Sequence, residues 1–91
     1  MFHRVLGVEA MPDYELLVTC RMGEVMRYDV KPLIDKWIPF SALRTVAGLF
    51  QQVHVDHGGC GIVWNDELDL SCDELWAGGV PVGTPPMATA L

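Results

Sequence analysis

The residues whose types best suit chemistry are His54, Asp56, His57 and Cys60, which spell H-x-D-H-x-x-C. Side chains two apart share a face of an extended strand, so His54 and Asp56 would point the same way and a zinc or other transition-metal site can be drawn. A closed zinc site takes four ligands with supporting hydrogen bonds, and no paired Cys or His elsewhere in the chain supplies them. Surface histidines on a hairpin are the simpler reading. Cys60 or Cys72 as a nucleophile would need a neighbouring base, and at a helix N-terminus the dipole would favour the Cys72 thiolate. Asp66, Glu67 and Asp69 could meet a hard cation, yet their spacing lacks the glycine and the distal glutamate of an EF-hand loop. Gly58-Gly59-Cys60-Gly61 lacks a G-K-[ST] ending and runs into a strand pattern, which marks a hairpin turn rather than a phosphate loop. No catalytic residue, metal or cofactor is assigned, and the chain is read as not an enzyme. A small enzyme or metal-binding protein using His54, His57 and Cys60 stands as the alternative.

These residues must be positioned by short elements. Arg4 to Ala10, Tyr14 to Arg21 and Glu24 to Val30 read as three strands of an antiparallel meander, with turns at Met11-Pro12-Asp13 and Met22-Gly23. Leu16, Val18 and Cys20 alternate with Glu15, Thr19 and Arg21 and should face the core with Tyr28 and Val30. Leu17 breaks the alternation and is a candidate interface residue. Pro32 can open a helical turn that Pro39 stops, Ser41 to Arg44 suggests another turn, and Val46 to Gln52 a short helix with Val46, Leu49 and Phe50 on one face. Val53 to Asp56 and Gly61 to Trp64 form a second hairpin around Gly58-Gly59. Asn65-Asp66 caps the turn that follows. Ser71 with Glu74 three residues later makes a capping box for a helix ending at Gly78-Gly79. The fold class is α+β: antiparallel hairpins, short helices on one side and a capped C-terminal helix. One domain over residues 1–79 is expected, followed by an uncharged flexible tail, 80–91. All three tryptophans are read as core, with Trp37 also a candidate exposed anchor.

Composition narrows the function. A chain of 91 residues buries only about two thirds of its unfolded surface, yet 51% of this one is hydrophobic, more than so small a core can absorb. Some apolar surface should therefore face a protein partner or a second copy of the chain. All six cations lie at or before Arg44, where six acids balance them. The net charge of -6 comes from later residues, chiefly Asp66, Glu67, Asp69, Asp73 and Glu74. Such a patch repels phosphate backbones, which excludes direct nucleic-acid binding and suits a basic partner. No run approaches the roughly 18 apolar residues of a membrane span, and there is no signal-peptide pattern, so a cytoplasmic protein is expected. Three widely spaced cysteines fit reduced thiols.

Arg4-Val5-Leu6-Gly7-Val8-Glu9, Pro12-Asp13-Tyr14-Glu15-Leu16-Leu17-Val18, Gly23-Glu24-Val25, Tyr28-Asp29-Val30, Phe50-Gln51-Gln52-Val53 and above all Gly61-Ile62-Val63-Trp64-Asn65-Asp66-Glu67-Leu68-Asp69-Leu70 resemble the bacterial family called domain of unknown function 2442. The resemblance implies a small α+β fold with strands first, a helical middle and a closing helix, and it implies no activity. Chains of this look are often encoded beside another small protein, as toxin–antitoxin pairs are, and some carry a helix-turn-helix domain that has no counterpart here. His57, Cys60 and Cys72 stand where such members have proline or an aromatic. The expected function is a small acidic protein-binding module, antitoxin-like or an adaptor for a small basic protein. Its candidate contacts are Asp66, Glu67, Asp69, Asp73, Glu74, Trp37 and Leu17.

Overall fold

In the computed structural model of the chain, which describes residues 4–21 and 23–82, β1 (Val5–Met11) carries an irregularity between Val5 and Gly7, while side chains alternate between buried and more exposed along β2 (Glu15–Cys20) and β3 (Val25–Asp29). They pair antiparallel in chain order, with Val8 opposite Val18 and Leu16 opposite Tyr28. Leu16, Val18, Cys20, Met26 and Tyr28 are buried on one face. Leu17 sits half-buried on the other, between Glu9 and Arg27 of the flanking strands. The β1–β2 turn, Pro12–Tyr14, holds Asp13 and Tyr14 at left-handed φ angles of 65° and 59°. Lys31 braces it, donating to the Asp13 carbonyl oxygen over 2.8 Å and to its carboxylate over 3.1 Å.

The middle departs from expectation in two places. Helix α1 (Lys31–Lys36) has Pro32 in its first turn, as expected, but stops short of Pro39. Trp37 is already extended, and Pro39 lies inside a following 3-10 turn, Ile38–Ser41, where its fixed φ and missing N–H cost nothing. After α2 (Ala42–Thr45), the helix expected over Val46–Gln52 shrinks to a 3-10 turn, Phe50–Gln52. Gly48 takes φ +81°, a left-handed value that interrupts any helix, and this turns Val46 out to solvent while Leu49 and Phe50 stay buried. The Trp64 indole N–H donates to the Phe50 carbonyl oxygen over 3.1 Å and fixes this turn to the second sheet.

That sheet contains β4 (His54–Val55), β5 (Gly61–Asn65) and β6 (Leu68–Ser71), antiparallel in the order β4-β5-β6. The β4–β5 hairpin is as expected, but β6 occupies a stretch that reads by composition as an acidic turn. Leu68 and Leu70 are buried while Glu67 and Asp69 are exposed, a period of two hidden among carboxylates. Gly61 is required here: any Cβ would run into the Leu70 carbonyl oxygen of β6. Helix α3 (Cys72–Gly78) follows, capped by Ser71, whose hydroxyl accepts the Glu74 N–H over 3.1 Å. The chain then returns to the first sheet as β7 (Val80–Pro81), opposite Arg27 and Met26 of β3. The stretch read as a tail thus begins with a strand, and residues 83–91 lie outside the described residues.

One cluster of buried side chains runs through both sheets and the helices, from Val5, Leu16 and Val30 to Ile62, Trp64, Leu70 and Leu75. Each fully buried aliphatic side chain contributes about 1.5–3 kcal/mol of transfer free energy. Among the described residues no polar or charged residue is buried. The fold is α+β, two antiparallel sheets with short helices.

Candidate partner-binding groove

Pro32, Leu33 and Lys36 on α1, with Trp37 and Phe40 just beyond it, form one wall of a groove of about 490 Å³. Asp69, Leu70 and Ser71 of β6 and Glu74 of α3 form the other. The volume falls within the range of about 300–1,000 Å³ that ligand sites occupy. Local rules place each wall. The extended backbone at Trp37, whose N–H caps α1 on the Leu33 carbonyl oxygen over 2.8 Å, leaves the indole 53% exposed. Phe40 is anchored edge-on against Trp64 with ring centroids 6.0 Å apart. On the facing wall, the Ser71 cap fixes the first turn of α3 and with it the position of Glu74.

The charges of the molecule divide along the chain. Lys31 lies 3.0 Å from Asp29, 3.1 Å from Asp13 and 4.0 Å from Glu15; Arg27 reaches Glu15 at 3.6 Å and Arg44 reaches Asp35 at 2.9 Å. Burial would raise the Asp29 carboxyl, but hydrogen bonds and charge from Lys31 prevail and hold it below the usual range. Among the described residues, no ion pair reaches Asp66, Glu67, Asp69, Asp73 or Glu74. Asn65 turns the first two outward by accepting the N–H groups of Glu67 and Leu68 over 2.9 and 3.0 Å.

The structure brings Trp37, Asp69 and Glu74 to this one groove. Asp66 and Glu67 occupy the β5–β6 turn, Asp73 is exposed on the first turn of α3, and Leu17 is on the outer face of the first sheet. Leu33, Lys36 and Phe40 were missed as groove residues. Their only sequence signal was helical spacing on a segment too short to show it. Trp64 is core, whereas Trp76 is 37% exposed on α3, contrary to its reading as core.

The residues proposed for metal or nucleophilic chemistry do not assemble. The His54 ring is engaged with the Gln52 carbonyl oxygen over 3.0 Å, and the Asp56 carboxylate accepts the His57 backbone N–H over 2.7 Å. Among the described residues, no three His, Cys, Asp or Glu side chains gather as a metal site would require. Cys60 is exposed at the end of the hairpin turn, where the Arg4 guanidinium donates to the Gly58 carbonyl oxygen. Cys72 is buried, and that burial, reinforced by Cys20, Asp73 and Cys60, pushes its thiol up, against the thiolate that a helix N-terminus would favour. Among the described residues no helix is long and apolar enough to cross a membrane.

Comparison with known proteins adds a family and a fold. The family model described as "Protein of unknown function (DUF2442)" matches residues 5–81. A solved structure from Nitrosomonas europaea, provisionally named a DNA binding protein (NE0471), superposes with a TM-score of 0.73 at 26% identity. The match covers 86% of this chain and 49% of that one, so the present chain spans about half the length of that structural relative. No curated protein matches the chain.

Proposed function

We propose, since the chain belongs to the DUF2442 family, that it serves as a small protein-binding module, an antitoxin-like or adaptor protein that holds a small basic partner in the groove beneath Trp37. One observation carries this reading. Asp13, Glu15, Asp29 and Asp35 have cationic partners on the same chain, whereas Asp69 and Glu74 line a groove beside an exposed indole and, among the described residues, form no ion pair even though Lys36 stands on the opposite wall. An aromatic anchor that becomes buried supplies affinity, and uncompensated charge around it raises the association rate and selects cations. A second copy of the chain would bring the same carboxylates to the contact and be repelled, which favours a different, basic molecule over a symmetric dimer. The name of the Nitrosomonas protein belongs to a chain about twice as long, and DNA contact needs cations that this chain lacks beyond Arg44. A complex with a basic partner could still reach DNA through that partner.

Capture from the native cell at low and high salt, followed by mass determination of the complex, tests the reading. The expected result is one small basic protein at fixed stoichiometry, associating more slowly as salt rises. Trp37→Ala should weaken it by more than about 2 kcal/mol, the loss typical of a central anchor. Asp69→Lys with Glu74→Lys should abolish capture while leaving the circular dichroism spectrum unchanged. A chain that stays alone at every salt concentration, or variants that capture as well as the native protein, would overturn the proposal.

A further inference from the structure

Among the described residues, β6 is the terminal strand of its sheet and pairs with β5 alone. In an antiparallel ladder, residues alternate between those whose main-chain groups face the partner strand and those whose groups face away. The phase of this ladder is fixed at its end, where the Cys72 N–H donates to the Cys60 carbonyl oxygen over 2.7 Å. The Gly61 carbonyl oxygen turns the other way and accepts the Asp56 N–H beside β4 over 2.8 Å. Ile62 and Leu70 are therefore a bonded pair, while Asp69, opposite Val63, directs its own N–H and C=O away from β5. Asp69 also lines the groove, so the open edge of the sheet is one wall of the candidate site.

We infer that the occupant of the groove is an extended segment of the basic partner, which adds to β6 as a fourth strand through paired main-chain hydrogen bonds to Asp69. This rests on the reading of the groove as a partner site and adds the form the partner takes there. Strand addition draws affinity from the main chain and specificity from alternate side chains. The partner residue opposite Asp69 shares its exposed face, where a directly facing carboxylate favours Lys or Arg. Its two neighbours point inward, over Leu70 toward Leu33 and Phe40, and must be apolar. The recognised pattern is apolar–basic–apolar. Short length and exposed charge are also how edge strands avoid pairing with themselves: a second β6 would set one carboxylate against another, whereas a cationic strand neutralises it.

The test uses the full chain, labelled with nitrogen-15, and a blocked synthetic peptide, Ser-Val-Lys-Val-Ser. A matched peptide carries an N-methyl group on the lysine main chain, and another has glutamate for lysine. At saturation the parent peptide should slow hydrogen exchange at the Asp69 amide by at least about tenfold, and loss of its N–H should weaken binding by about tenfold. The glutamate peptide should bind less well than either. Asp69→Asn should erase the preference for lysine over norleucine while keeping the exchange protection. Equal binding of the N-methyl peptide, an unprotected Asp69 amide, helical peptide in the bound state, or no binding at millimolar concentration would each overturn strand addition. Those results leave partner capture through Trp37, Asp69 and Glu74 to stand or fall on its own test.

Discussion

Asp13, Glu15 and Asp29 around Lys31, and Asp66, Glu67, Asp69, Asp73 and Glu74 from the β5–β6 turn into α3, are two carboxylate clusters on one small domain in opposite circumstances. The first encloses an ammonium group that also holds the strained β1–β2 turn, so its charges belong to the fold. The second has backbone N–H groups as neighbours, at the Asn65 turn and the Ser71 cap, and, among the described residues, no ion pair, with Lys36 only across the groove. Exposed pairs such as Arg27 with Glu15 each contribute only about 0–1 kcal/mol, so pairing alone cannot explain why cations gather in one half. Their absence from the other half has the larger consequence. A domain whose stability rests on one apolar core can leave a whole region at one sign of charge and use it for association.

The sharpest challenge to that comparison asks whether the halves share one core. Leu16→Ala in the first sheet and Ile62→Ala in the second remove side chains with no exposed surface, and each should cost about 2–5 kcal/mol in a single unfolding transition. Two separate transitions, read by circular dichroism and tryptophan fluorescence, would show two independent units instead. Next in size is a glycine contrast. Gly61→Ala forces a Cβ against the Leu70 carbonyl oxygen and should lose about 1–3 kcal/mol, whereas Gly7→Ala meets only Thr19 at 4.0 Å and should lose nothing, as urea midpoints would report. Removing the cap with Ser71→Ala should cost about 1 kcal/mol and also displace Glu74, lowering partner affinity. Arg44→Ala, which breaks the pair with Asp35 and the contact 5.7 Å from the Tyr14 ring centre, should cost about 0.2–1 kcal/mol, less in high salt. Asp66→Asn should leave stability unchanged or slightly raised, because among the described residues its carboxylate has no ion pair to lose.

The response to pH is the gentlest probe and draws on groups from both halves. Burial pushes the Cys20 and Cys72 thiols and the Tyr28 phenol above their ordinary 9.0 and 10.0, with Glu24, Cys20 and Glu74 respectively adding to it. A raised folded value gives stability that is complete below the unfolded value and lost as pH climbs through the folded one. Thermal stability should therefore decline above about pH 9. Asp29 has the opposite sign: its depressed value contributes stability above its ordinary 3.8 that is lost as pH falls through the folded value. Melting curves from pH 3 to 10 check both limbs, and a Tm still rising beyond pH 10 would contradict the first.

Much of the fold was legible because its causes are local. Alternation of Leu16, Val18 and Cys20 with polar neighbours, the turns at Pro12 and Gly58-Gly59, and the Ser71–Glu74 cap act within a few residues of themselves. β6 was missed because three acids drew attention away from the alternation of Leu68 and Leu70. The lost helix after Val46 hung on Gly48, whose positive φ a periodicity count ignores. β7 has two residues, one of them proline, and exists only because β3 offers an edge to it, a non-local fact. The groove is legible by its ingredients alone. Trp37, Asp69 and Glu74 were each candidates, but only the docking of α1 against β6 and α3 makes them one site. Leu17, chosen with them because it breaks a pattern, is on a different face.

The return of the chain to β3 also has a mechanical meaning. Val80 and Pro81 pair with that edge, with one further bond among the described residues, from the Val82 N–H to the Val25 carbonyl oxygen, and α3 is tied directly behind them. Tension applied from the C-terminal side would strip this small clasp before it loaded the interior, and slack would pass at once to the helix that carries Glu74. Such a pull would loosen one wall of the groove while the rest of the molecule stayed folded.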